Sequence, residues 1–254
     1  MTSKERFLAA MRNEVPDCVP VAPDISTYIP TKRTGRPFWE VLMEGKVPLW
    51  QAYLEAADYF GMDAWTAPVM GLPVISEDAR VECQSQCRMD TVRDAMVQTT
   101  TIKTPDGELT QEMVCFRGDP PTPTVKPIKD LAQDFRKFKH IQRMPKALDL
   151  KTLEILRQAC LKRNYAFGVS VGYPGFQNWN SYVQGGIELL SYAEMDTPEI
   201  LKEWFERDMV CGTRLMELAL EARLDYILLG GSGTITLASP SLAAKYAIPA
   251  LKKW

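Results

Sequence analysis

Short apolar runs alternate with longer amphipathic segments along most of the chain. Four of the runs, 18–22, 63–67, 165–171 and 225–229, are continuous rather than alternating, which is typical of buried strands. Between them, apolar residues recur at helical spacing, most regularly over 49–60. Continuous apolar strands separated by helices are typical of a parallel sheet covered by helices. The pattern therefore predicts an α/β fold, either an open doubly wound sheet or a barrel.

Residues 79–116 follow a different pattern. β-Branched and polar residues alternate over 97–103, and Pro105-Asp106-Gly107 is a turn signal that precedes a second apolar run. This predicts a β-hairpin inserted into a single domain that spans 1–254.

The last predicted strand is followed by a Gly-rich loop, 230–233, and by a helix. Ser239 suits the N-cap of that helix and Pro240 its first turn. No further strand follows in the sequence to receive the helix. We therefore expect the chain to carry an incomplete series of βα units.

Composition limits the classes of function. The chain has 254 residues, of which 46% are hydrophobic, enough to bury a sizeable core. Its net charge of −2 provides no basic field for nucleic acid. No run approaches the roughly 20 apolar residues that a membrane span needs. We expect a soluble cytoplasmic protein that binds neither nucleic acid nor membrane, with its six cysteines reduced.

Histidine and cysteine offer little for catalysis. His140 is the one histidine, so triad chemistry is disfavoured, and we expect His140 to be structural. Cys83 and Cys87, spaced by four, and Cys115 across the hairpin raise the question of a metal site. Without a CxxC pair or a nearby histidine, we interpret them as ordinary thiols.

Polar residues after the first predicted strand are candidates for binding and catalysis. Asp24 could orient a substrate or act as a catalytic acid or base; the alternative is an Asx-turn after Pro23. Arg33 and Arg36 could bind a carboxylate or phosphate as bidentate donors; the alternative is a pair of solvated loop charges.

Three residues after the third predicted strand, Tyr173, Asn178 and Trp179, could line a binding pocket. Their rings could stack on a flat corrinoid or on another aromatic ligand. Packing of Trp179 against the next helix would explain that residue equally well.

The fourth predicted strand leads to Gly230, Gly231 and Ser232. These residues let a ligand approach the backbone, and their N–H groups could hold an anion, although a tight turn needs similar residues. Asp63 and Asp225 begin their strands. We therefore assign both to the opposite end of the sheet, where residues serve stability.

Four segments resemble, in order along the chain, one known family. They are the opening 2–20, the turn 104–109, the strand start 224–227, and Ser239-Pro240 together with 248–253. The resemblance is to the uroporphyrinogen decarboxylase superfamily, which includes cobalamin-dependent methyltransferases. It implies a (β/α)₈ barrel with its active site at the carboxyl ends of the strands, of which this chain would hold about four. A half barrel exposes sheet edges, so we expect it to aggregate or to form a homodimer.

The resemblance is closer to the methyltransferase branch. Decarboxylases of the family carry an Arg-Gln-Ala-Gly-Arg motif after the first strand and an aspartate after the second. This chain has neither: segment 23–28 follows its first predicted strand, and segment 67–70 stands at the second position. In the methyltransferases, zinc held by a His-x-Cys pair and a later Cys activates a thiol that accepts a methyl group from a methyl-corrinoid. Those ligands would lie outside this sequence. The implied partners are a corrinoid protein or free cobalamin and a small-molecule methyl acceptor.

Two alternatives stay open, and enzymatic activity of this chain alone is undecided. One is decarboxylation of a tetrapyrrole in porphyrin biosynthesis, in which Arg33 and Arg36 would bind acetate side chains. The other is a truncated, non-catalytic binding or assembly module that acts through an exposed edge.

Overall fold

The computed structural model describes all 254 residues of a mixed α/β protein. The α-helices are α1 (Ser3–Met11), α2 (Tyr28–Arg33), α3 (Phe38–Leu42), α4 (Leu49–Phe60), α5 (Leu131–Phe138), α6 (Leu150–Leu161), α7 (Phe176–Trp179), α8 (Gly186–Asp196), α9 (Pro198–Glu221), α10 (Pro240–Leu242) and α11 (Ile248–Lys253). The strands are β1 (Val74–Ser76), β2 (Glu82–Asp90), β3 (Ala95–Thr104), β4 (Gly107–Phe116), β5 (Thr122–Val125), β6 (Pro145–Leu148), β7 (Gly168–Ser170) and β8 (Tyr226–Leu228). None of the helices is both long and apolar enough to span a bilayer.

Strands β7 and β8 form a parallel pair in which Gly168 lies opposite Tyr226. A parallel bridge between Gly71 and Ser170 adds a third segment beside β7. The predicted third and fourth strands are thus confirmed, although each is shorter than the sequence indicated.

The predicted first and second strands are wrong as strands. Segment 18–22 forms no ladder with a neighbour, but Val21 O accepts a hydrogen bond from Asp63 N at 2.8 Å, and the Asp63 carboxylate accepts one from Val21 N at 2.7 Å. The Asp63 side chain therefore accepts a backbone hydrogen bond that a carbonyl of a neighbouring strand would accept in a ladder. Ala64, at φ +55°, breaks the second extended run, and a 3₁₀-helix follows over Ala67–Val69.

Helices α4, α6 and α9 cover the parallel pair. Their buried faces join a cluster of 19 residues. The cluster surrounds Val169 on β7 and Phe167, which directly precedes that strand. Tyr53 and Leu54 of α4 and Leu156 of α6 belong to this cluster. The connections between successive extended segments are therefore helices packed on the sheet, as the alternation of the sequence predicted.

A separate four-stranded antiparallel sheet has the order β2-β3-β4-β5. Strands β3 and β4 form a hairpin with Thr104 opposite Gly107, which confirms the hairpin predicted within 79–116. The structure adds β2 and β5 on its two sides. His140 Nε2 lies 2.7 Å from Asp106 Oδ2 and so joins the hairpin turn to the end of α5, a structural role for this histidine.

A second cluster of 14 buried residues lies between the hairpin and helices α5, α7, α8 and α9. Aromatic rings dominate it. Trp179 and Trp204 stack with ring centroids 5.1 Å apart and an interplanar angle of 24°. This cluster anchors the antiparallel sheet to the α/β core.

The last helical segment begins as predicted. Ser239 Oγ accepts a hydrogen bond from Leu242 N at 3.3 Å, and Pro240 occupies the first turn. A π-helical turn, Ala243–Ala247, then joins α10 to α11. Pro249 has no N–H for the carbonyl of Lys245, and its ring crowds that carbonyl, which accounts for the widened turn.

Candidate functional site

A cavity of about 320 Å³ lies beside the carboxyl end of β7. Strand β7 leads directly into one wall, and α9 supplies the facing wall. The lining residues most relevant to chemistry are Gln142, Arg143, Tyr173, Asn178, Asp208 and Cys211. This volume is at the lower end of the range of small-molecule sites.

Asp208 is the carboxylate of this cavity. Its Oδ2 accepts a hydrogen bond from Trp179 Nε1 at 2.7 Å, and its Oδ1 accepts one from Gln142 Nε2 at 2.7 Å. The nearby side chain of Asn178 also lowers the pKa of this carboxyl group. Burial raises the pKa of Asp208 to about 6, although these hydrogen bonds act in the opposite direction. A carboxyl group that titrates near neutral pH in a cavity can exchange protons with a ligand.

Cys211 lies on α9, three residues after Asp208, and lines the same cavity. Burial raises the pKa of its thiol, and the negative charge of Asp208 acts in the same direction. The thiol is therefore protonated at neutral pH and is a poor nucleophile. Asp208, rather than Cys211, is therefore the group that can exchange protons with a ligand in the cavity.

A second cavity, of about 350 Å³, shares Gln142 and Arg143 with the first. No hydrophobic residue lines it, and its basic side chains outnumber the acidic ones. They are Arg80, Lys139, His140, Arg143 and Arg207 against Glu77 and Asp78. The shared wall thus gives the Asp208 cavity a basic side, which favours ligands with an anionic group.

Two predicted site residues, Tyr173 and Asn178, do line the Asp208 cavity. Trp179 does not, and its predicted role in stacking on a ligand is wrong. Its side chain is fully buried, with 0% exposure, because Trp204 covers one face of the indole. The alternative, packing against a helix, is what the structure shows. Trp179 reaches the site only through its hydrogen bond to Asp208.

The loop after β8 touches the rim of the cavity. Gly230 N donates to Gly172 O at 2.9 Å, and Gly231 N donates to Thr234 Oγ1 at 2.8 Å. Anion binding by these two N–H groups is therefore a wrong expectation, because both are already hydrogen-bonded. A Cβ atom on Gly231 would lie 2.8 Å from the Tyr173 ring, so glycine permits this close approach. Ser232 is exposed beside it.

Asp24, Arg33 and Arg36 lie outside the cavity. Asp24 is exposed, and its Oδ1 accepts hydrogen bonds from the N–H and the hydroxyl of Ser26, which is the Asx-turn geometry. The Arg33 guanidinium lies 3.6 Å from the centroid of the Tyr59 ring.

Arg36 Nη1 lies 2.8 Å from Glu40 Oε2 and forms an ion pair with this residue of α3, four positions later. Each of the three predicted residues thus has a local partner. Their catalytic and binding roles stay predictions, and the Asp208 cavity does not include them.

Asp225 directly precedes β8 and so lies at the amino end of the parallel pair, which confirms its assignment, whereas Asp63 begins no strand. Asp63 pairs with Arg6 at 2.6 Å. Asp225 pairs with Lys4 at 2.7 Å and accepts the N–H of Phe167 at 2.8 Å. Both basic partners come from α1, so these contacts hold the first helix against segment 63–67 and against the amino end of β8.

The cysteines of the antiparallel sheet do not converge. Cys83 and Cys87 are exposed on β2, whereas Cys115 is buried on β4 and lies opposite Met96 of β3. No group of three or more His, Cys, Asp or Glu side chains in the structure could hold a metal ion.

The sequence reasoning missed Asp208 and Gln142. Asp208 follows Trp204 by four residues, which places a carboxylate on the apolar face of a predicted helix. An acidic residue in such a position needs a hydrogen-bond partner, and that signal could have identified it. Gln142 lies in the irregular segment before β6 and gave no comparable signal.

Comparison of the chain with protein-family models, with curated proteins and with solved structures finds no match. Inference about function therefore depends on the geometry of the site and on the sequence.

Proposed function

We propose that the chain is part of a (β/α)₈ barrel of the uroporphyrinogen decarboxylase superfamily, closer to its corrinoid-dependent methyltransferases. The order of the extended segments supports this. Val21 contacts Asp63, Met70 O accepts a hydrogen bond from Ser170 N, and β7 pairs in parallel with β8. Consecutive segments are thus neighbours, as they are around a barrel.

The observation that carries the proposal is the contact between the loops that follow β7 and β8. The hydrogen bond from Gly230 to Gly172 and the approach of Gly231 to the Tyr173 ring bring the two loops together at one edge. In barrels of this class, catalysis takes place at the carboxyl edge of the strands. The Asp208 cavity lies at that edge beside β7.

The proposed reaction is methyl transfer from a methyl-corrinoid to a thiol or similar acceptor. A cavity of about 320 Å³ suits the small acceptor, and the corrinoid would approach the exposed rim at Tyr173 and Ser232. The acceptor sulfur forms the bond to the methyl carbon, and the electron pair of the broken cobalt–carbon bond stays on the corrinoid. Asp208 takes the thiol proton.

The family also implies zinc, but the donor set of this chain does not fit it. No three potential ligands come together, and the one histidine is hydrogen-bonded to Asp106. No step of the proposed reaction therefore uses zinc.

Equilibrium dialysis of the 254-residue chain against methylcobalamin tests the proposal. We expect binding that weakens about fivefold in Tyr173→Ala, because aromatic stacking contributes on the order of 1 kcal/mol. The matched control is the double variant Arg33→Ala/Arg36→Ala, which should bind normally. Absence of cobalamin binding, or equal binding by all variants, would contradict the proposal.

The same experiment addresses tetrapyrrole decarboxylation. That reaction predicts binding of a porphyrin carboxylate that the double arginine variant loses. Both arginines already have partners in the chain, Tyr59 and Glu40, so the structure offers this alternative no specific support. The assembly-module alternative has one supporting observation, the exposed edge strand β2.

A further inference from the structure

Strand β2 is an open edge of the antiparallel sheet. It pairs with β3 on one side only, and eight of its nine residues are exposed. Its register with β3 is continuous from Glu82 to Asp90, without a bulge. About half of its N–H and C=O groups therefore face away from β3 without a strand to receive them.

The opposite edge of the same sheet shows the contrast. Strand β5 has four residues, contains Pro123, and joins β4 through a register shift at Glu112 and Met113. Short length, proline and bulges are the usual devices that prevent an edge from pairing. Strand β2 has none of them, so its sequence leaves the edge able to pair.

We infer that β2 pairs antiparallel with β2 of a second copy, about a twofold axis that passes through Ser85. The inference stands independently of the proposed methyl transfer. When a twofold axis perpendicular to the sheet relates the two strands, the residue on the axis lies opposite its own copy. The identity of that residue therefore sets the register of every other pair. With Ser85 on the axis, Glu82 lies opposite Arg88 of the other copy, and Cys83 lies opposite Cys87.

Charge distinguishes this register from its neighbours. The Ser85 register makes two symmetric pairs of opposite charge, and such cross-strand pairs are stabilising. A register centred on Gln86 would instead place Glu82 opposite Asp90, and one centred on Gln84 would place Arg88 opposite Arg80. Like charges directly opposite each other are destabilising.

The two cysteines report the register directly. Within one chain Cys83 and Cys87 are four residues apart on an extended strand, too far for a disulfide. Residues directly opposite on antiparallel strands have Cα atoms about 4.5 to 5.5 Å apart, within the range that a disulfide accepts. The Ser85 register therefore allows two Cys83–Cys87 bonds between copies.

A charge-reversal cycle with sedimentation velocity tests the pairing. We expect the native chain to dimerise, and Glu82→Arg or Arg88→Glu to raise the dissociation constant about tenfold or more. The double variant Glu82→Arg/Arg88→Glu should recover the native value. These side chains are exposed, so circular dichroism should show all four proteins folded. A native chain that stays monomeric, or a double variant without recovery, would overturn the inference.

Oxidation with diamide tests the register itself. Two thiols give up two hydrogens to the diazene, which becomes a hydrazine, and one disulfide forms. We expect a Cys83–Cys87 peptide between copies by mass spectrometry. Cys83→Ser or Cys87→Ser alone should lose this link, and a mixture of the two variants should restore it. A link at these positions that survives in either single variant would show another register and overturn the proposal.

Discussion

The carboxylate of Asp208 receives hydrogen bonds from an indole and a side-chain amide and also borders the cavity. The two donors offset only part of the cost of burying the charged form, so the pKa is near 6. The same hydrogen bonds hold Trp179 in the aromatic cluster. One residue thus joins the core to the candidate site.

Asp208→Asn should change the pH dependence of stability. The pKa of Asp208 is raised from 3.8 to about 6 in the folded protein, so the folded state binds more protons between these values. Its stabilising contribution is present below pH 3.8 and is lost as pH rises through about 6. We expect the native chain to lose, relative to Asp208→Asn, on the order of 2 kcal/mol of unfolding free energy between pH 4 and pH 7.

Urea unfolding at several pH values measures this difference. Asp196→Asn, at an exposed position at the end of α8, is the matched control and should show a smaller change. Asparagine offers one oxygen instead of two, so a constant loss of stability at every pH is also expected. A constant offset alone would contradict the raised pKa.

At the scale of the elements, the parallel pair depends on a close contact between Gly168 and Tyr226. The two residues lie opposite each other, and the Tyr226 hydroxyl accepts a hydrogen bond from Ala67 N at 3.1 Å. Thr66 Oγ1 lies 3.2 Å from the same hydroxyl. One ring therefore joins β8 to the segment before the 3₁₀-helix across β7.

Gly168→Ala should destabilise this pair. A Cβ atom at Gly168 would lie 2.1 Å from the Tyr226 ring, so the ring must move and its hydrogen bonds weaken. We expect a loss of about 1 to 3 kcal/mol in urea unfolding, the usual cost of overpacking. Gly71→Ala is the matched control, since no atom lies within 4 Å of its added Cβ. Equal stability of the two variants would contradict the close contact.

At the scale of the whole molecule, exposed ion pairs connect distant parts of the chain. Asp17 contacts the N-terminal amine and Arg6, Asp94 contacts Arg117, and Asp106 contacts His140. The hydrogen bond from Arg6 is the main cause that lowers the pKa of Asp17. Hydrogen bonds from Arg117 and His140 lower the pKa of Asp94 and Asp106 in the same way.

Thermal stability should therefore fall as the solution becomes acidic. A carboxylate with a lowered folded pKa contributes stability above its unfolded pKa, and this contribution is lost as pH falls through the folded value. We expect the melting temperature of the native chain to decrease from about pH 4 downward. Asp17→Asn should melt below the native chain at pH 7 and approach it in acid. Parallel melting curves would show that Asp17 contributes no pH dependence.

Local signals in the sequence determined several elements correctly. The hairpin of β3 and β4 follows from alternation and a turn triplet within a few residues, and the last helix begins at Ser239-Pro240 for the same reason. The position of Asp225 at the amino end of β8 also follows from sequence order. These features depend on neighbours in the chain, so pattern alone was sufficient.

Only the tertiary structure decided which side chains meet. The partners of Asp208 lie 29 and 66 positions away in the sequence, and the ring that buries Trp179 belongs to a later helix. The same holds for the strand predicted over 18–22, where the Asp63 carboxylate replaces part of a ladder. Burial, pKa and ligand access depend on such distant contacts, because desolvation is set by everything packed around a group rather than by its neighbours in the chain.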